Sequence, residues 1–188
     1  KLFLASKSPR RSRILSKAGI QFETIENNAE EPDYSGGLPE NFAISLAKIK
    51  AEAASVKIKD GIIMAFDTVV WFRGAPLGKP SSSKEASNIL KKLSGNEHSV
   101  YTGICILLNP EMDIITDSEK TDVRFSDLPE RIIREYINSR EPLDKAGSYG
   151  IQGRGALFTE SIRGCYYNVV GLPLNKTMKI LEKRALIF

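Results

Sequence analysis

Leu2-Phe3-Leu4-Ala5-Ser6-Lys7-Ser8-Pro9-Arg10-Arg11 begins as an apolar strand and ends as the first turn of a helix. Ser8 offers a hydroxyl at the N-cap position. Pro9 suits the first helical position, where a missing N–H costs nothing. The helix continues through Ile14, Leu15 and Ala18 and stops at Gly19. Arg10 and Arg11 therefore sit beside free backbone N–H groups and the positive end of the helix dipole. Cations there are disfavoured by about 0.3–1 kcal/mol each. An anion bound at that end removes the conflict, and forked donors on a helix N-terminus suit phosphate. The alternative is that both arginines point into water.

Strands and helices alternate outward from this unit. Phe22–Ile25 reads as a strand, and 30–37 as an acidic loop. A helix begins near Pro39, with Phe42, Leu46, Ile49 and Ala53 along one stripe. Lys48 then faces solvent. Lys50 lies at the stripe's edge, either bordering a cleft or laying its stem along the surface. Gly61–Phe72 is a long apolar strand ended by an Arg73-Gly74 turn. Ser81–Ser83 cap a helix carrying Ala86, Ile89, Leu90 and Leu93. Val100–Leu108 and Ile114–Phe125 read as paired strands around Asn109-Pro110, and Pro129 opens a helix with Ile132, Ile133, Tyr136 and Ile137. Gly147–Gly155 is a glycine-rich loop. Leu157-Phe158 and Tyr166–Val170 read as strands, and a last helix holds Met178, Leu181 and Leu186. With no repeat or linker, one α/β domain over 1–188 is expected.

The 188 residues carry a net charge of +4, from 27 Lys+Arg against 23 Asp+Glu, with no run of five like charges. That mild excess suits a phosphate substrate better than stable nucleic-acid binding. Cys105 and Cys165 are far apart and form no C-x-x-C pair, so both read as reduced thiols of a cytoplasmic protein. No apolar stretch reaches membrane-spanning length, and the N-terminal apolar run is too short for a signal peptide. His98 is the only histidine and sits in an alternating strand, where a structural role is expected. Histidine triads and two-histidine metal sites are thereby disfavoured. Carboxylates, lysines and a metal are left to do any chemistry.

Asp67 interrupts an otherwise apolar strand. Burying a carboxylate costs several kcal/mol unless it is paired or binds metal. It either caps a turn at a strand end or acts as a general base, and apolar residues continuing to Phe72 favour the base. Glu30 and Glu31 offer hard oxygens suited to Mg²⁺ or Mn²⁺ shared with substrate phosphates. Lys79, between Gly78 and Pro80, belongs to no P-loop but sits on a backbone whose neighbours fix it. The amide of Gln152 can accept from one ring N–H and donate to an adjacent carbonyl, the pattern of N3–H and O4 in uracil or thymine.

Six blocks together resemble the Maf family of nucleoside triphosphate pyrophosphatases. They are Leu4–Arg11, Asp67–Val70, Gly78-Lys79-Pro80, Leu93–Gly95 with His98 and Thr102-Gly103, Asp144–Gly147 with Tyr149–Gly153, and Asn168–Pro173. The resemblance implies a Maf/ITPase-like α/β fold, an elongated mixed sheet flanked by helices, with two lobes and a central cleft. It implies metal-assisted hydrolysis of a nucleoside triphosphate to monophosphate and pyrophosphate. Asp67 matches the family's proton acceptor, and Arg10, Thr68 and Gln152 its specificity positions. Ser6, Arg11, Glu31, Lys50 and Lys79 match residues lining the phosphate and metal cleft, with Glu31 toward the metal. The Ile151-Gln152-Gly153 form resembles the branch acting on dTTP and UTP. A homodimer is open to such a chain. One departure is Phe66, where the family carries a small residue before the aspartate. A regular strand places it on the face opposite Asp67. The rival reading is a regulator of septum formation that binds nucleotide or nucleic acid without turnover.

Overall fold

The computed structural model describes residues 1–186. Its strands are β1 (Leu2–Leu4), β2 (Glu23–Thr24), β3 (Gly61–Phe72), β4 (Ala75–Leu77), β5 (Glu97–Asn109), β6 (Asp113–Phe125) and β7 (Thr159–Arg163). Its helices are α1 (Pro9–Lys17), α2 (Pro39–Ser55), α3 (Ser83–Leu93), α4 (Glu130–Asn138), α5 (Tyr166–Val170) and α6 (Leu174–Lys183). The seven strands pair in the order β2-β1-β3-β5-β6-β7, with β4 also on β3. β1 runs parallel to β2 and β3, while β4 and β7 pair antiparallel with β3 and β6, so the sheet is mixed as expected. No described helix is long and apolar enough to cross a membrane. The described chain packs as two compact units, each built from segments separated in sequence.

The first unit contains residues 1–68, 102–119 and the chain from Gly171. Its core joins Phe3 and Ala5, Ile63 and Ala65 of β3, Cys105 and Leu107 of β5, and Ala47, Ala51 and Ala54 of α2. The buried stripe of α2 is Ala43, Leu46, Ala47, Ala51 and Ala54. Phe42, Ile49 and Ala53 are only half-buried, so the expected stripe is rotated from the real one. Size explains the difference. A Cβ added to Gly103 would lie 2.1 Å from the Ala43 carbonyl oxygen. Alanines on the helix and no side chain on the strand bring α2 close to β5, and close packing outweighs bulk hydrophobicity. Asn109 ties the end of α2 down, its amide donating to the Ser55 and Ile58 carbonyls at 2.9 and 2.6 Å.

The second unit contains residues 69–101 and 120–170. Arg73 and Gly74, both at positive φ, make the two-residue turn between β3 and β4. Ser82 caps α3 by accepting from the Glu85 N–H, and α3 contacts α4. A set of edge-to-face rings, Phe125, Tyr149, Phe158 and Tyr136 with His98, fills the interior. Two expected strands are absent. Leu157-Phe158 closes a 3₁₀ turn over Arg154–Phe158, and the strand starts at Thr159. Tyr166–Val170 is helical despite its β-branched and aromatic residues. The buried Asn168 amide donates to the Val100 carbonyl and Thr121 Oγ1, and these tertiary bonds override local propensity. The glycine-rich loop likewise contains 3₁₀ turns, and Leu186 lies beyond the end of α6. The expected domain's last two positions, 187 and 188, lie outside the described residues.

Replacing Gly103 by alanine forces its methyl against the α2 backbone. Overpacking of this kind costs about 1–3 kcal/mol. The urea midpoint of Gly103→Ala should fall accordingly. A wild-type midpoint would show that the close approach is not needed.

Candidate active site

In β3 the side chains alternate, so Ile63, Ala65 and Asp67 face one way and Phe66 and Thr68 the other. Phe66 is fully buried, as its place opposite Asp67 requires. Asp67 is 8% exposed. The alanine face of α2 lies against the same side of β3, and Lys50 belongs to its edge. The Lys50 ammonium donates to Asp67 Oδ1 and sits 2.8 Å from Glu31 Oε1. Lys50 thus borders the site instead of lying along the surface, while Lys48 is exposed as expected. The adjacent acids are split in role, for Glu31 joins Lys50 and Glu30 is solvent-exposed. Burial raises the Asp67 carboxyl above its ordinary value, and the charges of Lys50 and Arg11 offset only part of that.

A second polar group gathers at Thr68. Arg11, buried on α1, donates from Nε to the Gly171 carbonyl at 2.7 Å. Its Nη1 donates to Ser6 Oγ at 3.1 Å and its Nη2 to Thr68 Oγ1 at 3.2 Å. These bonds use three of the five guanidinium N–H groups. The Thr68 and Thr102 hydroxyls lie 2.9 Å apart. Gly171 has φ +119°, and a Cβ there would stand 3.3 Å from Thr68 Oγ1, so glycine suits that corner. Ser8 makes no side-chain cap; its own N–H donates to Ser6 Oγ at 3.2 Å. Ser6 is therefore the hydroxyl that organises the turn between β1 and α1. Arg10 is half-buried in the first turn of α1.

The first unit thus brings together Ser6, Arg11, Glu31, Lys50, Asp67 and Thr68. Lys79 and Gln152 belong to the second unit, and both are exposed. Their segments meet there, since the Gly147 N–H donates to the Gly78 carbonyl at 3.1 Å. Thr102 and the Gly171 carbonyl had no assigned role in the sequence. The nearest signal was Gly103, a glycine in a strand, which marks close backbone approach. His98 is structural: its Nε2 lies 2.8 Å from the Tyr149 hydroxyl, and burial pushes its pKa down to about 4, so the ring is neutral near neutrality. Both cysteines are free thiols.

Among the described residues no three His, Cys, Asp or Glu side chains form a metal-holding group. Yet Glu31 and Asp67 already share one cation, the Lys50 ammonium. Two hard-oxygen donors of this kind fit a Mg²⁺ or Mn²⁺ ion that completes its shell with substrate phosphates and water.

A family model described as Maf-like protein matches residues 1–184. The chain belongs to the Maf family. The dTTP/UTP pyrophosphatase of Clostridium perfringens is 49% identical to it over 185 residues, 97% of this chain and 96% of that protein. The dTTP/UTP pyrophosphatase of Carboxydothermus hydrogenoformans is 48% identical over 183 residues, 97% of this chain and 98% of its own. The solved Staphylococcus aureus Ham1 protein matches 67% of this chain and 72% of its own at 16% identity. Its TM-score of 0.48 is too low to bear on the fold or the chemistry.

The buried carboxylate of this Maf chain makes a prediction about pH. Asp67 holds its proton to a higher pH folded than unfolded. Stability from this group is therefore intact below its unfolded pKa, about 3.9, and falls as pH rises through the raised folded value. Asp67→Asn cannot ionise. Denaturant titrations across that range should show the mutant gaining stability relative to wild type as pH rises. Parallel curves would contradict a raised pKa.

Proposed function

We propose that this chain is a nucleoside triphosphate pyrophosphatase, a single Maf domain spanning 1–188, that hydrolyses dTTP and UTP to the monophosphate and pyrophosphate. The observation that carries the chemistry is the Asp67 carboxylate, buried in an apolar strand and held by Lys50, in a chain whose only histidine is buried and neutral. The relatives named dTTP/UTP pyrophosphatase support the substrate class. Asp67 takes a proton from the water that attacks the α-phosphorus, and pyrophosphate leaves. Arg10 and the N–H groups at the start of α1 draw in the triphosphate. Arg11 holds Ser6 and Thr68 in place and keeps two N–H groups for phosphate oxygens. Lys50 lowers the proton affinity of Asp67, so that more of it is ionised at working pH. Lys79 receives charge developing on the leaving pyrophosphate. Glu31, with Asp67, would hold a divalent cation. That ion neutralises phosphate charge when bound. The free thiols fit a cytoplasmic site of action.

The test is pyrophosphate release from dTTP and UTP, with Mg²⁺ or Mn²⁺ and again after chelation, for wild type and Asp67→Asn. Turnover should require the ion. The mutant should lose about 10²–10⁴-fold in rate while still binding nucleotide. Near-normal turnover in the folded mutant would remove Asp67 as the base. Nucleotide binding without turnover in wild type would favour a regulator instead.

Gln152 reads the base in this proposal. UTP offers N3–H and O4, whereas CTP offers an unprotonated N3 and an amino group, so CTP meets the amide mismatched. Mismatches that leave buried partners unpaired discriminate strongly. Wild type should prefer UTP over CTP and GTP in kcat/KM, and Gln152→Ala should narrow that preference. Unchanged selectivity in the mutant would exclude the role.

A further inference from the structure

We propose that Glu141 is a positioning residue for base selection, because its carboxylate clamps both ends of the loop that carries Gln152. The inference deepens the proposed function and rests on its reading of Gln152 as the residue that meets the base. The clamp lies wholly within the second unit, in the 3₁₀ turn Glu141–Asp144 that follows α4. Glu141 Oε2 accepts from the Arg154 N–H at 3.2 Å, and Oε1 takes a longer bond, 3.5 Å, from the Gly155 N–H. Oε1 also accepts from the Tyr136 hydroxyl at 3.0 Å, and that hydroxyl accepts from the Gly150 N–H at 3.2 Å. Atom type fixes every direction here. Backbone N–H groups only donate and a carboxylate only accepts, so the one proton of Tyr136 goes to Glu141. Gln152 stands between the two held ends.

The loop is closed as well as held. A Cβ on Gly155 would stand 2.4 Å from the Gly150 carbonyl oxygen, so its ends touch. A Cβ on Gly153 would stand 3.0 Å from Glu141 Oε1, which puts the carboxylate against the residue after Gln152. Glu141 is itself anchored. Its N–H donates to Ser139 Oγ at 3.2 Å, and its carbonyl accepts from the Lys145 ammonium at 2.6 Å. Tyr136 is buried and packs edge-to-face on Phe158. Gln152 is exposed, so its aim depends on the backbone that carries it. A glutamine on a moving loop shifts to suit cytosine. On a held loop it meets cytosine mismatched, since a recognition group selects only when supporting contacts fix it.

Glu141→Gln keeps the shape but turns one acceptor oxygen into an NH2 donor, which faces an N–H or O–H donor on either arm. The ratio of kcat/KM for UTP over CTP should narrow by about 3- to 10-fold, the size of one hydrogen bond, through KM for UTP with kcat nearly unchanged. Tyr136→Phe keeps the buried ring, releases the Gly150 end and should narrow the ratio in the same direction. It decides the matter if Glu141→Gln does not fold. In a Gln152→Ala background, Glu141→Gln should leave the ratio where Gln152→Ala alone puts it, since the group it positions is gone. Calorimetric affinities for the α,β-imido analogues of UTP and CTP should show the same narrowing without turnover. Unchanged selectivity in the folded variants, or equal losses for UTP and CTP, would overturn the proposal and leave Gln152 in its role. A further narrowing in the Gln152→Ala background would do the same. If Gln152→Ala alone leaves selectivity unchanged, the reading of Gln152 fails and this inference falls with it. If wild type releases no pyrophosphate but Glu141→Gln narrows the analogue preference, only the hydrolase reading fails.

Discussion

The close seating of α2 against the sheet is the constraint from which the site follows. It exists because Gly103 has no side chain and the helix presents Ala43, Ala47, Ala51 and Ala54. At that distance Lys50 reaches across to a carboxylate that the strand would otherwise bury alone. An isolated buried charge costs several kcal/mol, so the ion pair is a condition for having Asp67 there. Packing and chemistry are one problem in this molecule, because residues chosen for small volume deliver a charge to its partner.

The Lys50 pair also acts on the protonation of Asp67. Burial favours the neutral acid, while Lys50 and Arg11 favour the carboxylate. Both tendencies suit the general base proposed for Asp67, which must be ionised yet avid for a proton. The second face of β3 has a different task. There Arg11 is bound to Ser6, Thr68 and Gly171, fixing the turn between β1 and α1 to β3 and to the start of the C-terminal segment. Neighbouring residues of one strand, Asp67 and Thr68, thus take part in separate sets of hydrogen bonds, because strand geometry points them apart, while the charge of Arg11 acts on both.

Long, strongly patterned elements were legible in the sequence. The bounds of β3 and the burial of Ala86, Ile89, Leu90 and Leu93 on α3 follow from periodicity and caps alone. That Asp67 is a buried acid in need of a partner was legible because a lone acid in an apolar run conflicts with its surroundings. The family blocks and the hydrogen-bonding pattern of a glutamine amide were legible for the same reason, as they depend on residue type and order.

Other features depended on which atoms meet. The real stripe of α2 was hidden because alanine adds little hydrophobicity but permits close approach, which only the partner surface reveals. Tyr166–Val170 reads as strand by composition and folds as helix because Asn168 finds acceptors on β5 and β6. Ser6 replaced Ser8 at the β1–α1 turn because Arg11 needs an acceptor there. The chain alone determined the strand–helix order and the presence of an acid in an apolar strand, since these rest on local pattern and residue type. The tertiary structure decided that Lys50 meets both Asp67 and Glu31 and that the Thr102 and Thr68 hydroxyls come together. Contacts between residues 17 to 34 positions apart depend on how elements pack, and no local pattern encodes that distance.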